Sequence, residues 1–263
     1  MTQRFVLFAF CLLLAVSSMG RVYFIPGLGY QKEKPSPYVL GIESDLEAAG
    51  ISYLTVSGSN PGNTGSPFRD RIPDMIFVKE YGQKPSSSLE NNIRIIKVAT
   101  LIAKDLDEHP LAPGEQVNIL GTSQGAVSVA QAVYFLLKYP EDFGLEKNFK
   151  INHLVLAGCP VHLRSKLYRS LKKYEREKKI DTILYKNYQS INKRGRMNDQ
   201  VTGLSGKWQF GAVLRGVIFL FDALLVRKSK HPHVMASENK PTMPGFATFG
   251  EQIVSQLVKD GIN

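Results

Sequence analysis

Residues 116–138 read QVNILGTSQGAVSVAQAVYFLLK. The first five, QVNIL, form a short apolar run of the kind that fills a buried strand. Ala126, Val129, Ala130, Ala132, Val133, Leu136 and Leu137 then recur at helical spacing and predict a helix over 124–138. Only Gly121-Thr122-Ser123-Gln124-Gly125 stands between the two, so the chain turns from strand to helix without a loop. A G-x-S-x-G run alone is short enough to occur by chance, and its weight comes from this context. Small residues at 121 and 125 let the strand and the helix approach closely. Ser123 would then sit on a sharp bend with its hydroxyl projecting above the sheet.

Outward from this stretch the same alternation continues. VYFI (22–25) predicts a buried strand, broken by Pro26-Gly27-Leu28-Gly29. Ser36-Pro37 offers an N-cap and a proline at the first helical position, with a helix to about Ala49 closed by Gly50. ISYLTV (51–56) is the next strand. A helix fits 88–106, apolar at Ile93, Ile96, Val98, Leu101 and Ile102, with Ser87 and Glu90 as a capping box. NHLVLAG (152–158) is another strand, a basic helix spans about 164–179, and a last helix within 246–260 packs through Ile253, Leu257 and Val258. Strands that are apolar throughout, alternating with helices, predict an α/β fold. Its mostly parallel central sheet carries helices on both faces, in three α/β/α layers. Two stretches stand apart: residues 57–86, rich in Gly, Pro, Ser and Asn and long enough to read as a functional loop, and the very apolar 210–226, a buried helix or an acyl-binding wall.

The 263 residues, 43% of them hydrophobic, suffice for one substantial core. The first twenty are read separately. MTQR is followed by the apolar run FVLFAFCLLLAV and by SSMG, the layout of a secretory signal cleaved before Arg21. The run is too short for a membrane span of about 20 residues. The expected organisation is therefore a signal peptide at 1–20 and a single domain at 21–263, secreted or periplasmic. Removal of the signal leaves one cysteine, Cys159, read as a buried small hydrophobe. The net charge of +10 is concentrated in 161–200, with 12 Lys and Arg against 4 Asp and Glu. Without zinc-finger spacing, a helix-turn-helix or an aromatic–basic sheet pattern, this does not read as nucleic-acid binding. It reads either as a solvated helix face or as a surface that meets anionic membrane. No metal-ligand spacing is present, and GLGY and GSNPGNTGS lack the residues that phosphate binding needs, so no cofactor is expected. Nothing in the sequence sets an oligomeric state.

The strand–GTSQG–helix unit resembles the nucleophile elbow of the α/β-hydrolase superfamily, in particular its lipases, esterases and thioesterases. The resemblance implies Ser123 as nucleophile and an oxyanion hole made of two backbone N–H groups. One is that of Gln124, the residue after the serine. The other is that of Leu28, in the loop after the first strand, where Pro26 replaces the family's usual histidine. The family's chain order places the acid and then the histidine after the serine. MNDQVTGL (197–204) resembles its Asp-x-Val loop and points to Asp199, with Asp181 as the rival. Of the five histidines, His109 and His153 fall at the wrong end of the sheet and His162 precedes every plausible acid. His231-Pro232-His233 lies before the last helix, with His233 preferred to His231 as base. The implied activity is hydrolysis of a small-molecule carboxylic ester, a lipid or an acyl thioester by a serine hydrolase. The alternatives are a non-catalytic binding protein on the same scaffold and a structural protein attached to a membrane by an uncleaved N-terminal segment.

Overall fold

The computed structural model describes residues 20–27, 32–56, 89–186, 189–192, 195–198, 241 and 247–262, with the backbone alone at 89–96 and in the two segments between 189 and 198. Residues 1–19 of the expected signal, the stretches 57–86 and 210–226, and Ser87 of the expected capping box lie outside them.

Five strands form one parallel sheet in the order β2-β1-β3-β4-β5. They are β1 (Gly20–Ile25), β2 (Ser52–Thr55), β3 (Gln116–Thr122), β4 (Ile151–Ala157) and β5 (Ile180–Lys186). Val22 pairs with Tyr53 on one side and Asn118 on the other, so β1 is held from both edges. Ile119 pairs with Leu154, and Leu154 with Ile183. The three central strands are buried along nearly their whole length, which is why they read as continuous apolar runs.

Because successive side chains point to opposite faces, the sheet feeds two cores. Tyr23, Ile25, Val117, Ile119, Leu154 and Leu156 face one of them, built with α2 (Leu89–Glu108), α3 (Gln124–Lys138) and α4 (Lys166–Arg176). Val22, Phe24, Leu120, Val155 and Ala157 face the other, under α1 (Pro37–Ala48) and α5 (Phe249–Lys259). The expected three-layer α/β/α architecture is the one observed. Of α3 only Lys138 escapes burial. A helix so enclosed is apolar all round, and its sequence is accordingly dominated by Ala, Val, Leu and Phe.

The local signals act largely as read. Ser36 is the N-cap of α1 with Pro37 behind it, but its hydroxyl makes no capping hydrogen bond. Gly50 takes φ 71° and ends α1, with the N–H of Ile51 reaching back to the carbonyl of Leu46 at 2.9 Å. Ser165 caps α4 by accepting from the N–H of Tyr168. Thr248 and Glu251 form a reciprocal capping box on α5. In α5 the buried face is Ile253, Val254 and Leu257, and Val258 is exposed, one position round from the expected stripe.

The residues before Asp199 form β7 (Gly195–Asn198), which pairs antiparallel with β6 (Gln189–Asn192) in a separate two-stranded sheet and not with the central one.

Candidate active site

The chain leaves β1 for α1 and then β2 on one side, and returns to β3 on the other side of β1. The segments that follow β1 and β3 therefore run to opposite faces: α1 belongs to one core and α3 to the other. Divergence at adjacent strand ends opens a crevice outside their carboxyl ends, the place where open α/β sheets bind ligands. Pro26-Gly27 follows β1 there and Ser123 follows β3.

Ser123 takes φ 52° and ψ −121°. Only it and Lys178 have positive φ among the described residues other than glycine. Such a conformation persists only where the surroundings impose it. Two contacts do so. The N–H of Ser123 donates to the carbonyl of Ala157 at the end of β4 at 2.8 Å, and the carbonyl of Ser123 accepts from Ala126 at 3.1 Å as α3 begins.

Glycine at 121 and 125 is what lets the bend be this tight. A Cβ on Gly121 would stand 2.6 Å from Cα of Ala126. A Cβ on Gly125 would run into the carbonyl oxygens of Ile25 and Pro26, with the Pro26 carbonyl carbon at 2.7 Å. The N-terminal turn of α3 thus lies directly against the end of β1. Gly27 completes the approach: a Cβ there would meet that of Ser123 at 2.9 Å. The backbone after β1 and the side chain of Ser123 are in immediate contact.

Gln124 is the first residue of α3, so its N–H has no partner within the helix. The N-terminal end of the helix dipole adds partial positive charge beside Ser123. The Gln124 side chain is buried here as well.

Two tyrosines brace the loops on either side. The hydroxyl of Tyr38, on the first turn of α1, accepts from the N–H of Gly27 at 2.7 Å. Burial raises the pKa of this phenol, and the hydroxyl of Thr122, the Gly27 N–H and the hydroxyl of Ser36 oppose the rise. Tyr185, near the end of β5, directs its hydroxyl to the carbonyls of Cys159 and Val161 at 2.8 and 2.6 Å, fixing the chain beyond β4. Cys159 is free and fully buried, as expected from sequence, and burial pushes its thiol up to about 12.

Of the residues singled out by sequence, Ser123 and Gln124 occupy the crevice. Leu28, Asp199, His231 and His233 lie outside the described residues. The rival acid Asp181 is at the opposite end of the sheet. It accepts from Asn152 Nδ2 at 3.2 Å, near the start of β4, five residues or about 17 Å of strand from Ala157. His153 is at that end too, pairing with Asn118 in register and bonding it through Nδ1 at 2.9 Å. His109 contacts Asp105 at 3.2 Å, and its carbonyl accepts from Arg21 at the start of β1. His162 is the one described histidine beyond the carboxyl end of a strand, and its Nδ1 accepts from the N–H of Arg164 at 2.9 Å. Sequence reasoning missed Tyr38 and Tyr185. Neither belongs to a motif, and each acts through a hydroxyl that only the fold brings to its loop.

Among the described residues no group of three His, Cys, Asp or Glu side chains is placed to hold a metal ion. Comparison with known proteins gives no relative: neither a protein-family model nor a curated protein matches the chain. The arrangement is thus a generic α/β-hydrolase-like scaffold with a strained serine at its switch point.

Proposed function

We propose that the protein is a serine hydrolase that cleaves carboxylic esters, with lipids or acyl thioesters as the natural class. The observation that carries this reading is the backbone of Ser123, held at positive φ between the end of β3 and the start of α3. In the proposed reaction Ser123 Oγ attacks the acyl carbonyl. His233 takes the hydroxyl proton and returns it to the leaving alkoxide or thiolate. Asp199 orients the imidazole and stabilises its cationic form. The N–H groups of Gln124 and Leu28 receive the oxyanion, and water then releases the acid by the same route. Asp199 keeps its role in this reading because Asp181 is tied to Asn152 far from the crevice.

Export follows in this reading from the apolar segment 5–16 preceding the domain. Contact with anionic lipid is assigned to the basic helix α4. Its apolar side chains Leu167 and Leu171 are buried, and Lys166, Arg169, Lys173 and Arg176 stand in solvent.

The test is labelling by a fluorophosphonate together with hydrolysis of nitrophenyl esters of graded chain length. S123A should lose labelling and nearly all turnover while melting as the wild type does. Undiminished labelling of S123A rejects the assignment. Removal of the true base should cost on the order of 10⁴-fold. H233A and H231A in one assay therefore decide between the two histidines, and small losses at both reject the triad.

A further inference from the structure

Beyond β4 the chain makes a tight turn, His162-Leu163-Arg164-Ser165, closed by the N–H of Ser165 on the carbonyl of His162 at 2.8 Å. Both sides of the turn are anchored. Val161 before it is buried, and its carbonyl accepts from the Tyr185 hydroxyl at 2.6 Å. Ser165 is buried and caps α4. Nδ1 of His162 accepts the Arg164 N–H at 2.9 Å and ties the turn across itself. Leu163 and Arg164 are the corner residues, and both are exposed, Leu163 by 50%. A leucine exposed singly is common on protein surfaces. At the corner of a tight turn it is not, because glycine, proline, asparagine, aspartate and serine ordinarily occupy that place. The buried anchors hold Leu163 away from the core that it would otherwise join.

The charge around this leucine is of one sign. From His162 to Tyr174 the chain carries Arg164, Lys166, Arg169, Lys172 and Lys173 and no carboxylate. Lys172 and Lys173, toward the far end of α4, are paired with Glu175 and Glu177. Arg164, Lys166 and Arg169 are exposed and form no ion pair among the described residues, so the uncompensated charge lies at the turn. This is the end of the sheet that carries Ser123, whose N–H is bonded to Ala157 as β4 ends. On the opposite face α1 begins at the same end. Leu40 on its first turn is 51% exposed, and Lys32 and Lys34, with Glu33 between them, are exposed before it. At the amino ends of the strands the exposed Leu111 instead follows the exposed Asp107 and Glu108, a sign that an anionic surface repels. We infer that the Leu163-Arg164 turn docks the protein on an anionic lipid surface. Leu163 enters the acyl layer, Arg164, Lys166 and Arg169 meet the headgroups, and the carboxyl edge of the sheet with its crevice faces the bilayer. A soluble polyanion would satisfy the cations but give the leucine nothing, so the occupant is a membrane. The inference rests on the lipid-contact reading above and narrows it from the whole of α4 to one end.

The experiment is co-sedimentation of the full chain with vesicles of phosphatidylcholine, alone or mixed with phosphatidylserine at about three to one, at low and at high salt. The apolar segment 5–16 is common to all variants, so differences between them report the turn. The wild type should prefer the anionic vesicles. L163S should weaken that binding about 10-fold or more at both salt concentrations, the scale of returning a leucine side chain to water. R164Q/K166Q should weaken it about 25-fold at low salt, at roughly 5-fold per cation, and far less at high salt. K173Q/R176Q and L111S should bind as the wild type does. L163W keeps an apolar tip and should bind at least as tightly as the wild type, which separates insertion from misfolding if L163S is unstable. L163S binding like the wild type, or equal binding of the wild type to neutral and anionic vesicles, overturns the inference. So does retention on heparin without binding to any vesicle, which would assign the patch to a soluble polyanion. Anionic binding lost in K173Q/R176Q but kept in L163S leaves the contact through α4 standing and rejects the turn alone. Binding needs no turnover, so if S123A stays active the hydrolase reading fails while the vesicle comparison still decides the turn.

Discussion

Replacing Gly125 by alanine should damage this protein far more than the loss of a glycine ordinarily does. The added methyl would point at the carbonyl oxygens of Ile25 and Pro26 and lie 2.7 Å from the Pro26 carbonyl carbon. Carbon atoms rest comfortably at about 3.5–4.0 Å, so relief requires a shift of roughly 1 Å. Neither side yields easily. β1 is bonded to β2 and β3 along both edges, and α3 is buried on every side. Overpacking against mobile side chains costs about 1–3 kcal/mol, and rigid main chain places this case at or above the top of that range. Gly50→Ala is the internal standard. Gly50 has φ 71° and no atom within 4 Å of its would-be Cβ, so that change carries only left-handed backbone strain of about 1–2 kcal/mol. In urea, with a slope of about 2–3 kcal/mol per molar, the midpoint should drop by about 1 M or more for G125A and by about half as much for G50A. Activity should separate them more sharply, because only G125A pushes α3 and Ser123 away from the β1 loop. A G125A midpoint at or above that of G50A, with turnover intact, would refute the close approach as the reason for glycine.

Three further expectations concern the opposite end of the sheet and the thiol. Arg21 joins Glu115 through Nε at 2.9 Å and Nη2 at 3.2 Å, Asp105 at 3.3 Å and the His109 carbonyl at 2.7 Å. R21M takes the arginine from two largely buried carboxylates, leaving Asp105 the Tyr23 hydroxyl and Glu115 the Ala112 N–H, and should cost about 2–4 kcal/mol by urea unfolding; a cost below about 1 kcal/mol would count against this anchor. Asn118 Nδ2 donates to the Gln116 carbonyl, so its Oδ1 faces His153, whose Nδ1 carries the proton. Burial lowers the pKa of His153 below 6.5, so the unfolded chain binds the proton first and stability falls as pH drops through and below that value. Unfolding curves from pH 7 to pH 5 should lose up to about 1.4 kcal/mol per unit through this histidine and be flatter by that amount in H153Q; equal slopes would refute the assignment. Cys159 should resist a disulfide reagent in the native protein and react promptly in urea, and fast native labelling would contradict its burial.

What the sequence made legible was what is local. The helix over 124–138 has the expected ends, because Ser123 and Lys138 border a run that is apolar on every face. The strands at 116 and 151 extend a little beyond their apolar cores. This happens because ladder bonds continue wherever a neighbour is present, whatever the side chain. One misjudgement concerns α5. Val258 looked like core and is exposed, while Val254 is buried, because two apolar residues one turn apart on α5 leave its rotation about the axis to be set by α1. Tyr38 illustrates what a sequence conceals: a tyrosine on the first turn of a helix is ordinary until the topology places it over Gly27.

The serine is the part of the site for which two arguments of different kind agree. One is chemical and local: a G-x-S-x-G run between a buried strand and a buried helix. The other makes no use of residue type. In a sheet ordered β2-β1-β3-β4-β5, β1 is left toward α1 on one face and the adjacent β3 toward α3 on the other, so a crevice lies between their ends whatever the chain carries. The residue that follows β3 is Ser123, in the backbone conformation that exposes a side chain at such a turn. A chance motif match has no reason to fall on that edge, nor to have its flanking glycine pressed against the carbonyls at the end of β1. A base has no comparable local signature. It must come from chain far along the sequence, and a histidine in a loop reads the same whether it meets the serine or only water. Hence Ser123 can be proposed from a pentapeptide and its setting, whereas chain order proposes only the pair His231 and His233, and the choice between them belongs to the paired alanine variants.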